Sequence, residues 1–353
     1  MRIVYTSFGG RYSDNPRAIH EGLLARGVDA EHLWMSDPDH EHGFPAGTEL
    51  IDVADPACVP ALEAADVVIA NTHVELEWTK RPGALYLQTW HGTPLKRIHW
   101  DVLWAPDGRV AELDRDVARW DVLLSPNRAS TGRLRGAFRF DGEVLETGYP
   151  RNDVLSSPRR DEVRARVRAQ LGIADGTTAV LYTPTWRDDE YYRGSTALRL
   201  DVDAFTAALG ADHVLLPRLH YNMTGRLGPL DGPAVRDVSY HPDVAELYLA
   251  ADVMITDYSS TMVDFAVTGK PLLSFTDDLA HYRDELRGFY VDLVAEAPGP
   301  LLDTSEQVVD ALRELPAVAA QHEDRYRLFR ERYCSLEDGR ATDRVIDRLA
   351  IGP

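Results

Sequence analysis

Asp252-Val253-Met254-Ile255-Thr256-Asp257-Tyr258-Ser259-Ser260-Thr261-Met262-Val263-Asp264 runs from an unbroken apolar segment into hydroxyl-bearing residues and on toward Gly269-Lys270-Pro271. A strand with one face in water alternates apolar and polar residues, whereas a strand covered on both faces is apolar throughout. Asp66-Val67-Val68-Ile69-Ala70-Asn71 and Asp121-Val122-Leu123-Leu124-Ser125-Pro126 share the pattern, each entered through an aspartate and left through polar residues. The three read as buried strands of a parallel α/β sheet between helices. Further strands are expected at 2–7, 84–89, 143–147, 179–183, 213–217, 234–238 and 271–275, with helices at 16–26, 161–171 and 338–349. Asn15-Pro16 reads as the cap and first residue of the first helix. An Arg-, Ser- and Asp-rich stretch around Ser156-Ser157-Pro158 divides two successive α/β halves, and the chain from about residue 304 onward reads as helical.

The 353 residues carry a formal net charge of −19, with 44% hydrophobic and 27% charged positions. That composition is globular, and the length suggests two domains. A surface this acidic repels nucleic acid, so no nucleic-acid partner is expected. Two cysteines, Cys58 and Cys334, make neither a disulfide framework nor a Cys-rich zinc site. His40-Glu41-His42 lacks a third ligand nearby, since His32 lies beyond Asp37-Pro38-Asp39. No apolar run reaches the length of a membrane span, and the opening Met1-Arg2-Ile3-Val4-Tyr5 reads as a strand rather than a signal peptide, so a cytoplasmic location is expected. Charge is uneven: residues 128–168 hold ten arginines against six acids, a local +4, which reads either as ion-paired helix surface or as a basic flank for an anionic membrane.

Parallel sheets bind ligands at the carboxyl ends of their strands, where the following helices present unpaired N–H groups. Trp90-His91-Gly92-Thr93-Pro94-Leu95-Lys96 leaves the strand at 84–89 with a histidine able to take a proton from a hydroxyl, a glycine that admits close approach, and a lysine. Arg218 and His220 stand two apart on extended backbone and so can face one ligand together. Ser259, Ser260 and Thr261 offer hydroxyls at a helix start, although Thr261-x-x-Asp264 also fits a capping box that needs no ligand. Tyr182-Thr183-Pro184-Thr185-Trp186-Arg187 and Gly148-Tyr149-Pro150-Arg151-Asn152-Asp153 end two further strands with polar groups. The convergence of five such ends, in the absence of a Walker P-loop or G-x-G-x-x-G, points to a phosphate-bearing substrate outside the ordinary kinase and dinucleotide classes.

These motifs, in this order, together with the opening Ser7-Phe8-Gly9-Gly10-Arg11-Tyr12-Ser13-Asp14-Asn15-Pro16 and the closing Glu337-Asp338-Gly339-Arg340-Ala341, resemble the CDP-glycerol glycerophosphotransferase family, the teichoic acid primases and polymerases. The resemblance covers nearly the whole chain. It implies a GT-B-like α/β fold of two Rossmann-like domains facing a cleft: 1–155 on the acceptor side, 156–335 binding the CDP donor, and 336–353 as a helix crossing back. It implies transfer of glycerol phosphate from CDP-glycerol to a hydroxyl of a membrane-associated, lipid-linked or polymeric acceptor, with release of CMP, by an enzyme held peripherally on the inner face of the membrane. Motif by motif, His91 would be the base, and Arg218 and His220 would hold the pyrophosphate, with His220 assisting departure of CMP. Ser259 and Ser260 would cradle phosphate, Asp264 would fix that loop or the donor, Arg151, Pro184 and Thr185 would line the donor pocket, and Trp90, Gly92, Thr93 and Pro94 would complete the substrate surface. The family's longer polymerases carry an additional region before the catalytic module, and the compact length here looks more like a primase or a single-module transferase. No cofactor is demanded; magnesium is conceivable through Asp257 or Asp264, but no acidic pair has its usual spacing. Since fold alone does not set function, a CDP-ribitol donor, a nucleotide-sugar glycosyltransferase and a noncatalytic nucleotide sensor are the competing readings.

Overall fold

The computed structural model describes residues 1–349 apart from 221, 222, 225 and 229, so residues 350–353 of the expected closing segment lie outside the described residues. Seven parallel strands form the first sheet: β1 (Arg2–Thr6), β2 (Glu31–Ser36), β3 (Glu49–Asp52), β4 (Val67–Ala70), β5 (Leu85–Gln88), β6 (Val122–Ser125) and β7 (Glu143–Glu146), in the order β3-β2-β1-β4-β5-β6-β7. The second sheet has the order β12-β11-β10-β8-β9, built from β8 (Thr178–Thr183), β9 (His213–Pro217), β10 (Val253–Thr256), β11 (Leu272–Phe275) and β12 (Leu301–Leu302). Every residue of β4, β6 and β10 is buried, as unbroken apolar runs require.

The leading aspartates have one shared job. Asp66 accepts the amide of Arg2 at 2.7 Å, Asp121 that of Tyr86 at 2.7 Å and Asp252 that of Ala179 at 2.8 Å, each the first or second residue of the neighbouring strand. A carboxylate there satisfies an N–H that the ladder leaves over, and basic residues balance the charge: Arg81, Lys80, and the pair Arg164 and Arg168.

Three strands escape sequence reading. β2 carries Glu31 and His32, β3 is a half-exposed edge, and β12 is two residues long. The expected strand at 234–238 is a correction in the other direction. It lies along β9, with the Leu215 amide donating to the Ala234 carbonyl at 2.8 Å, but forms only isolated bridges, from Val235 to Leu215 and to Gly232. The first helix, Asp14–Ala25, starts two residues earlier than expected, and Asn15 is not its cap.

The last helix, Ala341–Leu349, lies against the first. Val345 and Ile346 enter the core around Ile3, Ile19 and Leu23, and Arg26 pairs with Asp343 and Asp347. A Cβ on Gly22 would stand 2.5 Å from the Thr342 methyl, so only glycine permits this approach. Asp153 accepts the amides of Ala341 and Thr342, both at 2.8 Å, capping that helix from 188 residues away. At least half of the arginines in the basic stretch are used within the fold: Arg151 is buried, Arg164 and Arg168 hold Asp252, Arg166 pairs with Glu246, and Arg133 donates to the Pro94 carbonyl.

Candidate active site

The loop after β5 is pinned before any ligand arrives. Trp90 adopts φ 51°, its carbonyl accepts from Asn15 Nδ2 at 3.1 Å, and its amide donates to Gln88 Oε1 at 2.8 Å. His91 follows with Nδ1 2.6 Å from the Asn71 carbonyl. A carbonyl only accepts, so Nδ1 carries the proton and Nε2 keeps its lone pair. Burial lowers this imidazole to about 4, which leaves it neutral at pH 7. Phe8 meets it edge-on at 5.2 Å and Trp90 lies 4.2 Å away.

From the other half, His220 follows β9 and stacks on Trp186 at 5.7 Å. Burial, then the charge of Lys96, holds it well below the usual imidazole range. Both histidines line one cleft of about 710 Å³, with Trp90, Lys96, Trp186 and Arg287. Two neutral imidazoles thus face one space from opposite halves.

The remaining expected residues divide. Gly92 and Ser260 touch across the halves: a Cβ on Gly92 would collide with the Ser260 hydroxyl. The Ser259 hydroxyl accepts the Thr261 amide at 3.3 Å. The capping box is not formed, because Thr261 bonds to Thr183 at 3.0 Å while Asp264 turns to Arg151 and Asn152, at 2.7 and 3.0 Å. Thr93 and Pro94 brace the loop instead of facing the cleft: Thr93 Oγ1 accepts from Asn127 at 3.3 Å and the Pro94 carbonyl from Arg133 at 3.0 Å.

Several expectations need correction. Arg218 and His220 do not share a wall: Arg218 borders a smaller cavity of about 80 Å³ beside Arg11, Tyr240 and His241, and donates to the carbonyls of Val238 and His241 at 3.1 and 2.7 Å. The two cavities meet at Phe8. Regular alternation ends with β9 at Pro217, so spacing by two no longer sets direction. Arg151 touches the smaller cavity, yet its guanidinium is held by Asp14 at 2.8 Å and Asp264 at 2.7 Å, three side chains almost wholly buried between the halves. Asp264 is therefore committed to this clamp. Pro184 and Thr185 border a void of about 10 Å³, too small for a nucleotide, and the Thr185 amide is held by Asp257 at 2.9 and 3.0 Å.

Sequence reasoning left Arg287 unnamed. It pairs with Asp188 and lies 5.6 Å from the Trp186 ring in the cleft, but no motif surrounds it. Trp186 stood inside a quoted motif without a role. Trp100 is packed, its Nε1 2.9 Å from Asp114 and its ring under Arg139, whereas Trp104 is 40% exposed against Tyr192 at the cleft.

The chain matches the family described as CDP-glycerol:poly(glycerophosphate) glycerophosphotransferase over residues 1–350. It is 37% identical to the teichoic acid glycerol-phosphate transferase of Staphylococcus aureus, covering 98% of this chain and 92% of that protein. It is 35% identical to the teichoic acid poly(glycerol phosphate) polymerase of Bacillus subtilis, again over 98% of this chain but spanning only 48% of the polymerase. The solved structure of the wall teichoic acid polymerase TagF superposes with a TM-score of 0.89 at 35% identity, covering 99% of this chain and 88% of that one. The two-sheet α/β architecture is accordingly GT-B-like.

Proposed function

Since the chain belongs to the CDP-glycerol:poly(glycerophosphate) glycerophosphotransferase family, we propose that it transfers glycerol phosphate from CDP-glycerol to a hydroxyl of a teichoic acid-type acceptor and releases CMP. The observation that carries this reading is the pair of neutral imidazoles, His91 and His220, brought to one cleft by opposite halves. The acceptor hydroxyl attacks the phosphorus bearing glycerol as its proton passes to His91 Nε2. The bond to the bridging oxygen breaks, and the electron pair leaves with CMP on the side of His220. Phosphoryl transfer of this kind needs in-line placement and charge stabilisation more than covalent help.

The acceptor side falls to residues 1–155, the donor side to 156–335, and the returning segment 336–353 joins them. A lipid-linked or polymeric acceptor reaches the cleft from an anionic membrane surface on the inner face. Support for that approach comes from the exposed Trp104 and Tyr192, which line the cleft. No helix among the described residues is long and apolar enough to cross a membrane. No step is routed through magnesium: Asp257 is taken by the Thr185 amide and Arg187, and Asp264 by Arg151.

The test is release of CMP from CDP-glycerol with a lipid-linked acceptor, compared with CDP-ribitol and with UDP- and GDP-sugars. His91→Ala is expected to bind CDP-glycerol as the wild type does while transfer falls about 10²- to 10⁴-fold, the usual worth of a positioned base. Transfer near the wild-type rate would make His91 structural.

A further inference from the structure

Lys96 lies where the two halves are stitched together. The Arg97 amide donates to the Gly288 carbonyl at 3.0 Å, the Tyr290 amide to the Leu95 carbonyl at 2.9 Å, and Lys96 pairs with Phe289 in an antiparallel bridge. Side chains alternate across such a pairing. Leu95 is buried in the second-half core, and Lys96 lines the cleft that holds His91 and His220.

Lys96 is half-buried, and its ammonium has no protein partner: among the described residues no hydrogen bond or ion pair reaches Lys96 Nζ, whereas Lys80 holds Asp121 and Lys270 holds three carbonyls. The nearby carboxylates are engaged elsewhere: Asp188 with Arg287, and Asp257 with Arg187 and the Thr185 amide. Burial and the adjacent Arg287 draw Lys96 down to about 8. A half-buried cation that faces the cleft with no counter-charge can form a charge-assisted hydrogen bond with an anion that enters.

We propose that Lys96 is a donor-binding residue, contributed by the first half, whose ammonium pairs with the pyrophosphate oxygens of a nucleotide diphosphate lying between His91 and His220. This rests on the donor class proposed above and adds a consequence: the charge that builds on the departing CMP is met by a cation from the acceptor side of the cleft. Because residues 95–97 and 288–290 share backbone hydrogen bonds, the donor engages the seam and not one half alone.

The experiment compares wild type, Lys96→Gln and Lys96→Arg in calorimetric titrations with CDP-glycerol, CDP-ribitol, a UDP-sugar and a GDP-sugar, and in thermal melts with inorganic pyrophosphate. Lys96→Gln is expected to weaken the nucleotide diphosphate that the wild type prefers by about 10- to 100-fold, the range for losing a charge-assisted hydrogen bond. Lys96→Arg is expected to recover most of that affinity. Pyrophosphate is expected to raise the melting temperature of the wild type and of Lys96→Arg but not of Lys96→Gln. Unchanged affinity in Lys96→Gln overturns the proposal, as does an equal pyrophosphate shift in all three proteins. A wild type that prefers a UDP- or GDP-sugar overturns the CDP-glycerol reading alone, and the same variants titrated with that nucleotide then decide Lys96. A Lys96→Gln protein that melts well below the wild type without ligand, and is not rescued by Lys96→Arg, assigns the lysine to holding the halves and also overturns the proposal.

Discussion

At the scale of single residues, the site depends on side chains held by backbone groups. His91 is oriented by the Asn71 carbonyl and not by a carboxylate; Asp14 favours its protonated form, but burial outweighs that pull and keeps the ring a neutral acceptor. Gly92 is required by its neighbour across the cleft and not by an unusual φ: any Cβ strikes Ser260. Gly92→Ala should push the two loops apart, lowering stability by about 1–3 kcal/mol, as overpacking does, and reducing transfer more than a surface alanine would. Denaturant unfolding together with CMP release checks both effects, and full activity at unchanged stability would mean that the loops yield freely. The place of His91 on the cleft was legible in the sequence because the residue follows closely on a strand end. Arg151 and Asp264 looked like ligand residues for the same reason, yet their partner is each other, 113 residues apart, and such pairing leaves no local mark.

Among the secondary-structure elements, the aspartate that opens β4, β6 and β10 ties each strand to its neighbour. Asp252 is the most heavily used, with the Ala179 amide at 2.8 Å and Arg168 at 3.0 Å, besides Arg164. Asp252→Ala is expected to cost about 1–3 kcal/mol, since it strands the partly buried Ala179 amide and takes the carboxylate from two guanidinium groups that keep only carbonyl partners, with little effect on CDP-glycerol affinity. Chemical denaturation and donor titration separate the two. Buried strands could be read because their apolar runs are continuous, and the helices Arg160–Gln170 and Asp14–Ala25 were found within about two residues. Two of the four edges could not. β3 is half-exposed and β12 is short, so neither buries enough apolar surface to leave a pattern. Arg218 and His220 failed for a related reason, because a rule of alternation was carried past the end of the strand to which it applies.

In the whole molecule, the halves meet through buried polar groups whose protonation is linked to stability. The Glu337 carboxyl accepts the Tyr149 amide at 3.1 Å, while its other oxygen and Asn152 Oδ1 are buried without a donor. Burial, then the nearby Asp264, pushes Glu337 up to about 8. A carboxyl raised in the folded state favours folding fully below its unfolded value of 4.5, and that contribution is lost as pH rises toward about 8. Thermal stability should therefore decline between about pH 4.5 and 8 through this group, and Glu337→Gln, which stays neutral, should flatten the decline; parallel curves for the two proteins would remove Glu337 from the linkage. The last helix has a consequence of a different kind. Arg26 and Asp347 are 321 residues apart, so on the ribosome the first seven-stranded sheet emerges long before the helix that covers Ile3, Ile19 and Leu23 has been made. A nascent chain halted before residue 341 should expose that apolar strip and recruit chaperones, and supplying the missing helix as a separate peptide should quiet it. Translation of residues 341–349 then covers the apolar strip left open on elements made about 300 residues before.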